Sequence, residues 1–218
     1  IKGTEVPEID GRFNEPLWDK VAWEGNFVEA GPDENTAPAQ STQFKLVYDD
    51  NFLYVAIQCL DSLPDQIVKR LSRRDNTQGD WVAIAFDSYF DKRTAFVFTV
   101  SASGVKGDAF ATENGNNDDD SWNPIWYVAT TVDQEGWNAE MKIPFSQLKF
   151  GKSVEQLWGL QVARSLFREQ ERSVWDRIPQ NSAGWISESG TLKGLKHLKS
   201  QHQLEIQPFV VTEYYTYA

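Results

Sequence analysis

The chain has 218 residues, 32 of them acidic and 21 basic, for a net charge of −11, and it contains one cysteine. So large an acidic excess repels a phosphate backbone, which argues against nucleic acid as a partner, and a lone cysteine excludes an intramolecular disulfide. Nine Trp, seven Tyr and thirteen Phe supply ample apolar surface for one core. No run reaches the roughly 20 apolar residues of a membrane helix; with Ile1 rather than Met at its start, the expectation is a leader removed or trimmed and an extracytoplasmic setting.

In chain order, Pro7 to Gly11 reads as a short strand, and Asn14-Glu15-Pro16-Leu17-Trp18 as a brief helix capped by Asn14 with Pro16 in its first turn. Thr42 to Val47 and Leu53 to Gln58 alternate bulky and polar residues around Tyr48-Asp49-Asp50-Asn51, the composition of a tight hairpin. Cys59 continues that second strand and reads as a buried, inert thiol. Strand runs follow at Trp81 to Phe86, Ala95 to Val100, Val105 to Ala111, Ile125 to Val132 and Trp137 to Ile143, with Asn114 to Asp120 as a loop. After Pro144 and one helical turn the pattern resumes over Leu157 to Leu166. Gln203 to Tyr217 reads as a final strand that stops in mid-pattern. Strands at this density predict an all-β chain built as a sandwich or barrel.

Several phrases occur together in order: Ile9-Asp10-Gly11 with Trp18, Tyr48-Asp49-Asp50, Arg74-Asp75, Asp80-Trp81 to Asp87, Phe98 with Gly104 and Asp108, and Gly136 to Pro144. Together they resemble the family 9 carbohydrate-binding-module-like domain. Ser121-Trp122, Pro124-Ile125-Trp126, Trp158-Gly159, Arg164, Arg168, Glu171 and Trp175 further resemble an envelope family in which this domain precedes an outer-membrane β-barrel, with Leu204 to Phe209 similar to that family's lead-in to the barrel. The resemblance implies a jelly-roll-like, mostly antiparallel β-sandwich over residues 1–200, followed by a strand at 201–218. It also implies structural calcium, a glycan or polysaccharide as ligand, and the chain's own barrel as a partner.

A sugar presents a C–H face that packs on an aromatic plane and hydroxyls that need polar partners. Trp122 and Trp126, at the end of an Asp-rich loop, and Trp175 and Trp185, near Asp176, Arg177, Gln180 and Asn181, are the candidate platforms; the first two could equally pack over the sandwich end, and the second two could pin a loop as a lid. Arg74 and Asp75 are candidate polar grips, or members of a loop-supporting network with Arg73, Arg164, Arg168 and Glu171. Trp81 alternates with Ala83 and Ala85, which favours a packing role. Trp18, Trp23, Trp137 and Trp158 read as core. Calcium needs six to eight oxygens; Asp118 and Asp120, flanking Asp119, offer them locally, and Asp80, Asp87 and Asp108 could converge with Asp91 at one end of the sandwich, the alternative being turn capping. Glu140 reads as the structural partner of an arginine. His197 and His202 lack any triad or zinc motif, so the expected activity is binding without catalysis, with docking on or plugging of the barrel as the rival.

Overall fold

The computed structural model describes residues 2–3 and 6–198. Its strands, in chain order, are β1 (Val28–Gly31), β2 (Thr42–Tyr48), β3 (Phe52–Leu60), β4 (Trp81–Asp87), β5 (Ala95–Ser101), β6 (Lys106–Thr112), β7 (Asn117–Asp119), β8 (Tyr127–Val132), β9 (Gly136–Pro144), β10 (Glu155–Leu166), β11 (Glu171–Val174) and β12 (Gly190–Lys196); the one α-helix, α1, is Pro16–Asp19. They form two antiparallel sheets, a small one ordered β2-β3-β9-β8 and a large one ordered β1-β11-β10-β4-β5-β6-β7 with β12 also paired to β10. Expectation and structure agree on an all-β sandwich. The run Gln203 to Tyr217 lies outside the described residues.

Alternation along the strands packs the interior. Ile84, Phe86, Phe98, Val100, Leu160 and Val162 of the large sheet meet Val55, Ile57, Ala139, Met141 and Ile143 of the small one. Trp137 and Trp158 are fully buried there, and Trp18 is buried outside the small sheet with Leu17, Val47, Tyr54 and Ala56. Trp23 is only half-buried and borders that second cluster. Burial pushes the Cys59 thiol up to about 12, so it is inert as expected.

Aspartates explain the turns. Asp49 accepts the backbone N–H groups of Asn51 and Phe52, both at 2.7 Å, between β2 and β3. Asp91 does the same for Arg93 and Thr94 between β4 and β5, and Asp133 for Glu135 and Gly136 between β8 and β9. Each short carboxylate replaces a backbone partner that the turn leaves unmet, which accounts for part of the acidic surplus without invoking a ligand.

Three local expectations are corrected. Pro7 to Gly11 forms no strand; its backbone turns so that Asp10 and Gly11 donate to Glu140. Glu15, not Asn14, occupies the helix N-cap, and no side chain caps there. Asn114 to Asp120 is not a plain loop: a 3-10 turn at Glu113–Gly115 leads into β7, which pairs with β6 through Phe110↔Asp119 to Thr112↔Asn117.

The feature that positions the site is the long strand β10. Its first half pairs with β12, from Glu155↔Lys196 to Leu160↔Gly190, and its second half with β11, from Ala163↔Val174 to Leu166↔Glu171. Residues 175–189 therefore leave and rejoin the sheet at neighbouring points in its middle, and they fold over its outer face.

Candidate functional site

The outer face of the large sheet is floored by small side chains. Positions alternate, so Val82, Ile84 and Phe86 point into the core while Trp81, Ala83 and Ala85 point out. The register continues the outward row sideways: Ala83 lies beside Thr99 and Ala163, Ala85 beside Val97 and Gln161, and Thr99 beside Gly107. A row of Ala, Gly and Thr leaves space above the sheet, and residues 178–185 wall it. The result is a cleft of about 590 Å³ with Trp81, Thr99, Asp118, Gln161, Arg172 and Trp185 among its lining residues, within the range of roughly 300–1,000 Å³ typical of ligand sites.

Two indoles face this space. Trp81 stands at the start of β4, with the Arg172 guanidinium 5.4 Å from its ring centre. Trp185 packs on the group formed by Ala85, Ala95 and Ala111, four residues further along β4, a distance of about 13 Å along the strand. Its seat is specified by the 113–116 turn. The Trp185 backbone N–H donates to the Asn114 carbonyl at 3.0 Å, Ser187 N–H donates to the Asn114 side chain at 2.8 Å, and the Asn116 side-chain amide donates to the Ala183 carbonyl at 2.8 Å. Gly115 has φ +83°, and a Cβ there would lie 1.9 Å from the indole nitrogen, so the ring lies directly on a glycine. Gln161 pins the other end of the loop: its side chain accepts from Asp176 N–H at 3.0 Å and donates to the Asp176 carbonyl at 2.8 Å. Asp118 of β7 supplies the one carboxylate among the described lining residues, held above its ordinary pKa by partial desolvation.

The expected site residues are distributed differently. Trp185 is in the cleft, and so is Trp81, whose expected packing role is thus corrected. Trp126 is 1% exposed and cannot act as a platform: its ring packs on Phe98 at 5.3 Å and its N–H donates to Asp108. Trp122 lies half-buried against Phe96 and Phe98 and closes the sandwich end. Trp175 points inward onto Phe44, with ring centres 5.3 Å apart. Arg74 and Asp75 take the loop-supporting alternative: Arg74 forms a forked pair with Asp108 and donates to the Pro124 carbonyl, and Asp75 accepts the Asp108 N–H. The overlooked signal was the small-residue face itself. In a chain rich in large aromatics, Ala83, Ala85, Ala109, Ala111 and Ala163 mark a low floor, on part of which Trp185 packs and the rest of which stays open.

The aspartates do not build a calcium cage. Asp80 and Asp87 stand at opposite ends of one strand, about 23 Å apart. Asp80 accepts Val68 and Phe167 N–H groups, Asp87 accepts those of Asp91 and Lys92, and Asp108 is taken by Arg74 and Trp126. Asp118 faces the cleft and Asp120 is exposed beyond β7. Among the described residues no three His, Cys, Asp or Glu side chains gather as a metal site would need. Glu140 is likewise corrected: its carboxylate meets no arginine but the N–H groups of Asp10, Gly11 and Trp18, each at 3.1 Å. The expected arginine network is present elsewhere, with Arg168 forked on Asp61 and Arg164 crossing to the Ser41 and Leu60 carbonyls.

Residues 9–182 match the family model described as carbohydrate family 9 binding domain-like. No curated protein matches the chain significantly. Among solved structures, a family 9 carbohydrate-binding module from Caldicellulosiruptor kristjanssonii in complex with glucose is 20% identical, with a TM-score of 0.61 over 95% of this chain and 99% of that one. The module from the same organism in complex with cellotriose gives 20% identity and a TM-score of 0.62 over 94% and 96%.

Proposed function

Because the chain belongs to the carbohydrate family 9 binding domain-like family, we propose that it binds a glycan without cleaving it, in the cleft over the large sheet. The carrying observation is the pair Trp81 and Trp185 at the two ends of a floor of Ala and Thr. Indole faces complement the C–H face of a sugar ring, and Arg172, Gln180, Ser182 and Asp118 stand where hydroxyls need partners. Glycoside hydrolysis uses two carboxylates flanking the bond, and the described lining offers Asp118 alone, which supports binding without catalysis. The relatives crystallised with glucose and cellotriose make those sugars the first probes.

Calorimetric titration with cellotriose, followed by a panel of soluble glycans, tests the reading. Saturable binding is expected, reduced at least about tenfold by Trp81→Ala or Trp185→Ala, which corresponds to about 1.4 kcal/mol or more, and unchanged by Trp122→Ala. Silence across the panel would transfer the proposal to a domain that docks on its own barrel. The envelope setting and that barrel are proposed on the resemblance of residues 204–209 and of the Trp122 to Trp175 phrases alone; fractionation of the full-length protein checks them.

A further inference from the structure

A second cleft, of about 500 Å³, lies at the side of the sandwich where the start of β6 and the edge strand β8 come together; it is lined by Pro7, Ile9, Lys106, Trp126, Tyr127 and Lys142. Two lysines line it, and the ammonium group of each lies on aromatic rings. The Lys106 ammonium sits 5.2 Å from the Trp126 ring centre and donates to the Trp126 carbonyl at 2.9 Å. The Lys142 ammonium lies 4.2 Å from the Phe52 centre, 6.0 Å from Tyr54 and 5.9 Å from Tyr127.

Some cations of this chain find acids, Lys2 with Asp50, Arg74 with Asp108, Arg168 with Asp61 and Lys196 with Glu155; Lys106 and Lys142, like Lys45 over Trp23 and Arg172 over Trp81, lie on rings instead. Two of the acids near this cleft are already occupied. Asp108 is held by Arg74 and Trp126, and Glu140, two residues before Lys142 on the same face, is turned onto three N–H donors. Tyr127 is 51% exposed, with its ring centre 5.9 Å from the Lys142 ammonium. The cross-strand register Tyr54↔Lys142↔Tyr127 fixes it there. Ring contacts position an ammonium without neutralising it, so both charges remain available to a ligand.

We infer that this cleft is a second binding site, for an acidic sugar residue: its carboxylate meets the ammonium groups of Lys106 and Lys142, and its ring lies on Tyr127. A carboxylate-bearing ring needs both a cation and an apolar plane; this cleft offers two lysines and Tyr127 with no carboxylate among its described lining residues, whereas the cleft of the large sheet sets Asp118 in the same wall as Arg172 and Trp81. The site goes beyond the proposed glycan reading and stands or falls separately.

The test titrates the protein with trigalacturonate, cellotriose and sulfate, each against wild type, Lys142→Met, Tyr127→Ala and Trp185→Ala. Met keeps the aliphatic stem over Phe52, and Tyr127 is half-exposed, so both variants should fold, as a thermal melt verifies. Trigalacturonate binding is expected to weaken at least about tenfold in Lys142→Met and in Tyr127→Ala, to fall as salt is raised, and to survive Trp185→Ala. Absence of trigalacturonate binding, indifference to Lys142→Met, or sulfate competing fully while Tyr127→Ala is silent would each overturn the site. Loss of cellotriose binding in Trp185→Ala, with trigalacturonate retained, would separate the two clefts.

Discussion

The outer faces of the two sheets follow the same period-2 rule and end in opposite states. On the small sheet, Val47, Tyr54, Ala56 and Glu140 point outward and the 9–23 segment seals them, burying Leu17 and Trp18. On the large sheet, Ala83, Thr99 and Ala163 point outward and only residues 175–189 arch above them. Side-chain size makes the difference: large outward residues recruit a covering segment because burial lowers their free energy by about 25 cal/mol per Å², whereas methyl-sized ones offer little area to cover and leave a cleft. The sealed part of the small sheet contributes stability, and the open face of the large sheet is left for the proposed glycan.

The largest effect should come from breaking the sealed face. Trp18→Ala removes a fully buried indole and one of three donors to Glu140, so urea melts should show a loss of about 3–5 kcal/mol, while cellotriose affinity measured well below the melting temperature stays unchanged. Filling the open face should do the reverse. Ala83→Leu places a larger side chain on the floor between the two indoles, so calorimetry should show affinity falling at least about tenfold with stability altered by no more than about 0.5 kcal/mol, as for a surface position.

A smaller effect, read as a slope, concerns Glu140. Burial, only partly offset by its N–H donors, raises the carboxyl from 4.5 to about 7. The folded chain therefore holds this proton more tightly than the unfolded chain, and the group's contribution is full below pH 4.5 and lost as pH rises through 7. A displacement of that size corresponds to about 3 kcal/mol at most. Asp61 acts in the opposite sense: Arg168 holds it below 3.8, so its contribution is present above that value and lost in stronger acid. Urea melts across pH 4.5 to 7 should slope downward for wild type and flatten in Glu140→Gln.

Much of the sandwich was legible, because period-2 alternation at Thr42 to Val47, Trp81 to Phe86 and Trp137 to Ile143 depends on local sequence and needs no knowledge of the partner strand. The site was less legible. Alternation correctly grouped Trp81 with Ala83 and Ala85, but the choice between packing and cleft depends on what lies above that face, which is set by residues 175–189 rejoining the sheet and by a glycine turn at 113–115 far away in sequence. Trp126 misled for the same reason. Its polar neighbours suggested exposure, whereas Asp108 accepts its N–H and the core takes its ring. The Asp-rich composition suggested calcium, but the carboxylates of Asp49, Asp87, Asp91 and Asp133 serve backbone N–H groups in turns.

The nine tryptophans make the central claim directly measurable, since each indole N–H gives its own proton–nitrogen NMR signal, assignable by single Trp→Phe substitutions. On titration with cellotriose, the signals of Trp81 and Trp185 should move together and saturate, while those of Trp18, Trp126, Trp137 and Trp158 stay in place. Movement confined to Trp122 or Trp175, or no movement of the Trp81 and Trp185 signals while calorimetry registers binding, would contradict the assignment of the cleft.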